Sequence, residues 1–244
     1  MPILPGAFAA LMIGLMIGSG VAVVSARLAL GLPLIAPPTC VLTGRRLPWA
    51  DALPVVGYIR RRGRCRACGL PLPRWWPLTE ASMGLLGVMA YISADGINPR
   101  FGVYLLDLAV LLTLLVMDWR RQEIYTVVLL VGALGGLLGG LVLPEITIGV
   151  AVFGLVTGGG TMLIVYGLGR LLGRLRYGRE GLAWGDVELA AVLGLITGFP
   201  GVITPLLLGP IVGVLLFLRR GLGSYFPFAT GLCLAAMAFV LVHR

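Results

Sequence analysis

The chain has 244 residues, 59% of them hydrophobic and 12% charged, with a mean hydropathy of +1.01 and a formal net charge of +9. A soluble domain carries about twice that charged fraction, so the composition excludes a water-soluble fold and indicates a polytopic membrane protein. The nineteen Lys-or-Arg positions are all Arg. They gather in loops between apolar runs, as in loops held at an anionic leaflet, which argues against a nucleic-acid surface.

Residues 6–26 form the first apolar run, ending at Arg27. No basic stretch precedes it, so it does not read as a cleaved signal peptide. Gly14, Gly18, Ser19 and Gly20 give it a small face for close helix contact. Residues 31–78 are the one long segment that is not membrane-like. Pro33, Pro37, Pro38, Pro48, Pro54, Pro71, Pro73 and Pro77 forbid a long helix through it. It carries eight Arg and one acid, Asp51, and reads as a small cytoplasmic lobe with short turns around Cys65-Arg66-Ala67-Cys68. Trp75 and Trp76, just before the second membrane helix, read as interfacial anchors. The further runs are 79–94, 101–118, 123–143, 147–170, 186–199, 201–218 and 225–242. The run 186–199 is the shortest and ends at Phe199-Pro200-Gly201, which leaves open whether it crosses as a straight helix.

These runs predict an all-α polytopic membrane protein of about eight transmembrane helices. They divide into a first helix (1–30), the lobe (31–78) and a seven-helix membrane core (79–244). The loops at 27–78, 119–122, 171–185 and 219–224 hold almost all the Arg, whereas those at 95–100, 144–146 and 199–201 hold only Arg100. The Arg-rich loops are therefore expected inside and both termini outside. Asp118 and Asp186 then fall at cytoplasmic ends of two helices, where acids far apart in sequence can meet.

Two carboxylates that share one proton can hydrolyse a peptide bond, one activating water while the other, still protonated, polarises the carbonyl. Burial and the proximity of like charges separate their proton affinities. The pair needs no His, and His243, the one His, lies next to the C-terminus. The ordinary reading stands beside this one: Asp118 pairs with Arg120 or Arg121, and Asp186 caps the helix it opens. Asp107 lies eleven residues before Asp118, on the same helix face and roughly 16 Å deeper; it reads as a proton site or as a polar link to another helix. Glu80 reads as an interfacial charge. The run Arg60-Arg61-Arg62-Gly63-Arg64 reads as a solvated face. Four Cys do not form a disulfide framework in such a chain. Cys233 reads as packing, and the CxxC of a reduced cytoplasmic loop favours metal over a disulfide.

Several motifs together resemble the type 4 prepilin peptidases, the membrane aspartic proteases of type IV pilus and type II secretion systems. Gly18-Ser19 with Arg27 matches their first-helix motif. Gly63-Arg64-Cys65-Arg66-Ala67-Cys68-Gly69, followed by Pro77-Leu78-Thr79-Glu80, is similar to their Cys-containing loop. Asp118 occupies the place of the first catalytic Asp. Gly185-Asp186 resembles the Gly-Asp of a Gly-x-Gly-Asp-x-Lys signature, and Phe226-Pro227-Phe228 resembles the opening of the last helix.

The chain departs from that pattern in four places. Ala183 replaces the signature's first Gly, and Glu188 replaces its Lys. Ile124-Tyr125-Thr126 stands where Ile-Pro-Asp is usual, and Cys40-Val41-Leu42-Thr43 keeps only the first Cys of a second CxxC. Glu188, about 200° around the helix from Asp186, is not a third member of the dyad. A pairing with Arg179 or with an Arg of another loop is expected for it.

The resemblance implies a catalytic dyad of Asp118 and Asp186. It implies a structural Zn2+ at Cys40, Cys65 and Cys68, with Asp51 or water completing four ligands. The implied substrate is a prepilin or pseudopilin with a short basic leader and an apolar N-terminal helix, which docks in the lipid bilayer among Gly-rich helices. The implied location is the bacterial inner membrane, with the active site facing the cytoplasm. S-adenosylmethionine enters only if the second activity of many members, methylation of the new N-terminus, is retained. Two other classes fit the same sequence: a catalytically silent homologue that binds pilin-like helices, and a small proton-coupled transporter using Asp107.

Overall fold

The computed structural model describes residues 3–35, 37, 39–40, 43, 45, 54–60, 62–65, 67–176, 183–220 and 227–243. Among these residues the regular structure is helical: α1 (Ile3–Leu28), α2 (Val56–Arg60), α3 (Trp75–Ser93), α4 (Pro99–Arg121), α5 (Thr126–Val142), α6 (Ile148–Arg176), α7 (Trp184–Thr197), α8 (Ile203–Arg220) and α9 (Phe228–His243). The eight apolar runs are thus eight helices, and the described residues of the proline-rich segment include the five-residue α2, an isolated bridge between Arg64 and Pro71, and the start of α3. Among the described residues, three helices are long and apolar enough to cross a membrane, at Leu4–Leu28, Pro99–Arg121 and Ile148–Leu171; α5, α8 and α9 are shorter apolar helices. Polarity is inverted relative to a soluble protein. Leu130, Leu134, Leu141, Ile164, Leu207 and Leu215 face outward, while Asp107, Asp118 and Asp186 are buried, the arrangement expected where lipid is the outer solvent.

Helix starts differ from the apolar runs for local reasons. α4 begins at Pro99 rather than 101, because Asn98 Oδ1 accepts the Phe101 N–H at 3.0 Å and Pro supplies a preset first position. α3 begins at Trp75, so Trp75 and Trp76 lie in its first turn rather than before it; Pro77 is tolerated there because first-turn N–H groups have no partner in the helix. α5 begins only at Thr126, after an extended Tyr125.

The chain forms two compact units, Met1–Phe101 and Gly102–Arg244. In the first, α1 and α3 pack backbone to backbone. A Cβ on Gly14 would reach 3.0 Å from the Gly84 Cα, and one on Gly18 would reach 2.8 Å from the Glu80 Cα, whereas Gly20 faces open space. The small face of α1 is therefore real but narrower than the run of glycines suggests. Its polar part bonds as well, because the Ser19 side chain meets Glu80. Glu80 is buried, and its Oε2 accepts the Val55 N–H at 2.6 Å. It is a tie between α3 and the lobe rather than an interfacial charge. Arg27 does similar work at the end of α1, donating from Nη1 to the Leu34 carbonyl at 2.7 Å and from Nη2 to the Pro37 carbonyl at 2.9 Å.

In the second unit, α7 is the central element. It is buried on nearly every side, and at 14 residues it rises only about 21 Å, less than the roughly 30 Å of a bilayer core. It runs antiparallel to α6. Trp184, at its start, meets Tyr166 with ring centroids 5.8 Å apart, and beyond its end the Phe199 N–H reaches the Val150 carbonyl at 3.2 Å. Between these ends the two backbones nearly touch: a Cβ on Gly194 would lie 2.7 Å from the Leu155 nitrogen, and one on Gly154 would lie 2.9 Å from the Gly198 carbonyl carbon. Gly136 brings α5 against Leu195 and Ile196 in the same way, and a Cβ on Gly209 of α8 would lie 2.8 Å from the Leu232 Cα on α9. Close backbone approach of this kind is how membrane helices gain packing without a hydrophobic drive between them.

Candidate active site

The C-terminal end of α4, the loop after it, and the N-terminal ends of α7 and α9 meet at one end of the second unit. Ile124, in that loop, packs against Gly185, where an added Cβ would lie 3.2 Å away. Asp118 lies within the last turn of α4 and is 6% exposed; Asp186 lies in the first turn of α7 and is 9% exposed. The two carboxylates are near enough for the charge of Asp118 to bear on Asp186. Two acids 68 residues apart in the chain are thus brought together in a buried setting.

Each carboxylate is fixed differently. Asp118 is held across to α9: its Oδ2 accepts two hydrogen bonds from one residue, from the backbone N–H and from the Oγ1 hydroxyl of Thr230, both at 2.6 Å. Asp186 Oδ2 accepts the Ala183 N–H at 3.1 Å, closing the first turn of its own helix. A capping role and membership of the pair are therefore compatible for Asp186. Cys233, one turn beyond Thr230 and fully buried, also feels the Asp118 charge. Thr230 is the site residue that sequence reading missed. The available signal was weak: a hydroxyl residue three positions after Pro227, where a new helix has N–H groups to spare.

Other candidate residues lie elsewhere. Asp107 is fully buried on α4, with its Oδ1 2.8 Å from where a Cβ on Gly135 of α5 would stand. The glycine makes room for the carboxyl between α4 and α5. Glu188 is half-buried, and its Oε1 accepts the Trp184 indole N–H at 2.9 Å along the α7 surface. The bond is to an aromatic neighbour on its own helix rather than to an Arg; Arg179 lies outside the described residues.

In the first unit, turns bring three thiols together. The Cys65 N–H bonds to the Leu70 carbonyl at 2.8 Å, and the Gly69 N–H bonds back to the Cys65 carbonyl at 2.8 Å. Gly69 has φ +71°, a conformation open to Gly at little cost. Cys40 and Cys65 are buried, Cys68 is half-buried, and their Sγ atoms all lie within 4.8 Å of one another. Two separations are 3.6 and 3.7 Å, close to the roughly 3.8 Å between thiolates that each bind zinc tetrahedrally at about 2.3 Å. The donor set therefore fits a metal ion. Asp51, the candidate fourth ligand, lies outside the described residues. The Leu70 backbone hydrogen bond favours the Cys68 thiolate, but desolvation and the neighbouring Cys65 and Cys40 thiols outweigh it and hold that thiol above its ordinary value.

Comparison with known proteins divides the chain near the same place as its two units. Residues 12–94 match the Bacterial Peptidase A24 N-terminal domain, and residues 105–218 match the Type IV leader peptidase family. The chain is 34% identical to a Prepilin leader peptidase/N-methyltransferase of Klebsiella pneumoniae, over 85% of this chain and 91% of the relative. It is 30% identical to one of Pseudomonas putida, over 95% of this chain and 89% of the relative, and 32% identical to one of Dickeya chrysanthemi, over 84% and 80%. No solved structure matches the chain. With relatives of this identity covered over most of their length, the chain belongs to the type IV leader peptidase family.

Proposed function

We propose that the protein is an aspartic endopeptidase of the inner membrane that removes the short basic leader of a type IV prepilin or pseudopilin, with Asp118 and Asp186 as its dyad. The observation that carries this reading is the convergence of two buried carboxylates from α4 and α7, each held by a backbone N–H. Family membership supplies the reaction class and the substrate class. In this reading one carboxylate takes a proton from water as the water oxygen adds to the scissile carbonyl carbon, and the other gives its proton to the carbonyl oxygen. When the C–N bond breaks, the first carboxyl hands its proton to the leaving nitrogen and a hydroxyl of the intermediate returns one to the second, restoring the starting state.

The Arg-rich loops and the positive-inside rule support a site facing the cytoplasm with both termini periplasmic. The lobe serves as a separate support, with Cys40, Cys65 and Cys68 as three ligands of a zinc ion whose chemistry there is structural. N-methylation by S-adenosylmethionine is left outside the proposal, because Thr43 stands where a second CxxC would end and Glu188 stands where the signature has Lys.

The test is cleavage of several prepilins by purified protein in detergent, beside Asp118→Asn and Asp186→Asn. Both variants are expected to lose at least about a thousandfold in rate while unfolding at the parent's temperature. A folded parent that cleaves none of the prepilins would overturn the peptidase reading in favour of a silent, helix-binding homologue.

A further inference from the structure

We infer that Thr230 is a positioning residue of this peptidase, holding the Asp118 carboxyl in one orientation through its Oδ2. The inference rests on the reading of Asp118 and Asp186 as the dyad. α9 begins at Phe228 after Pro227, and its first intrahelical bond runs from the Gly231 N–H to the Pro227 carbonyl at 3.3 Å. The Thr230 N–H is therefore one of the first-turn donors without a partner in its own helix. Pro227 has no side-chain acceptor with which to cap the helix. Asp118, 112 residues earlier on α4, caps it instead. Its Oδ2 takes the Thr230 N–H and the Thr230 hydroxyl, both at 2.6 Å, and both residues are buried.

A carboxylate is free to turn about its Cβ–Cγ bond and present either oxygen. Two donors from one residue, converging on a single oxygen, remove that freedom. The backbone N–H can only donate, so Oδ2 serves as an acceptor and carries no proton toward it. The Asp118 carboxyl is thereby fixed against the first turn of α9. Positioning of this kind acts on the chemical step rather than on substrate binding. The hydroxyl is the separable half of the clamp, since the backbone donor survives any substitution other than Pro.

Purified parent, Thr230→Val, Thr230→Ser, Thr230→Ala and Asp118→Asn are compared for kcat, KM and unfolding temperature on one prepilin. Thr230→Val keeps the shape and the backbone donor but loses the hydroxyl. It is expected to lower kcat about 10- to 100-fold, the loss typical of one hydrogen bond to a charged group, with KM within about twofold. Thr230→Ser restores the donor and is expected to recover kcat to within about threefold of the parent. Should the Val variant fail to fold, Thr230→Ala carries the same expectation. Cleavage by the Val or Ala variant within about threefold of the parent would overturn the inference. So would a Ser variant as impaired as the Val variant, because the methyl group and not the hydroxyl would then matter. Undiminished cleavage by Asp118→Asn would instead remove the dyad and this inference with it, and that result is distinct from either of the others.

Discussion

At the scale of single residues, chemistry is set by what each carboxylate or thiol is bonded to, and neighbours in sequence diverge. Asp186 and Glu188 are two positions apart, yet Asp186 bonds its own first turn within range of the Asp118 charge while Glu188 bonds Trp184 along α7. The acid at the usual Lys position is thus occupied as a half of an i, i+4 pair, worth a few tenths of a kcal/mol. The three lobe thiols show the opposite case, residues distant in sequence acting as one group. Metal analysis of the purified parent is expected to find about one zinc per chain. Cys65→Ser, which removes one of the three thiols, is expected to lose it and to expose the lobe to limited proteolysis. A parent that is isolated without metal and takes up no added zinc would refute the site.

At the scale of elements, glycine decides how near the helices come. Gly154 and Gly194 put the backbones of α6 and α7 in contact, and α7 carries Asp186. Gly154→Ala is expected to cost about 1–3 kcal/mol by overpacking and to lower cleavage, because any separation of α6 from α7 shifts the first turn of α7. Gly160→Ala, on the same helix but with open space around it, is expected to be neutral or stabilising by up to about 1 kcal/mol. Unfolding in detergent compares the two; equal effects would mean that the contact is not what holds α7. The sequence disclosed the apolar runs, both Asp and the three Cys, because hydropathy, charge and CxxC spacing are local signals. It concealed the start of α4, where Asn98-Pro99 was legible as a cap but was hidden by the apolar run beginning later. It also concealed Thr230, whose function arises only where the start of one helix meets the end of another 112 positions earlier.

At the scale of the whole molecule, the question left by the sequence was whether the short run 186–199 crosses the membrane. Length alone argues against it, since 14 residues reach only about 21 Å. Packing argues for it. α7 leaves the level of Tyr166 on α6 and ends beside Val150 in the first turn of α6, so the connection after α7 returns to the level of the one before α6. A helix enclosed by other helices need not match the bilayer thickness, because protein rather than lipid surrounds its ends. The Arg distribution makes the same assignment independently, as residues 199–201 carry no Arg and Arg219 and Arg220 close α8. Reporter fusions after residue 145 and after residue 201 are therefore expected to report the periplasm, and fusions after residues 121 and 221 the cytoplasm. The pair that decides the matter is 201 against 221. If both report the same side, α8 does not cross; if 201 reports the cytoplasm, α7 is a re-entrant element.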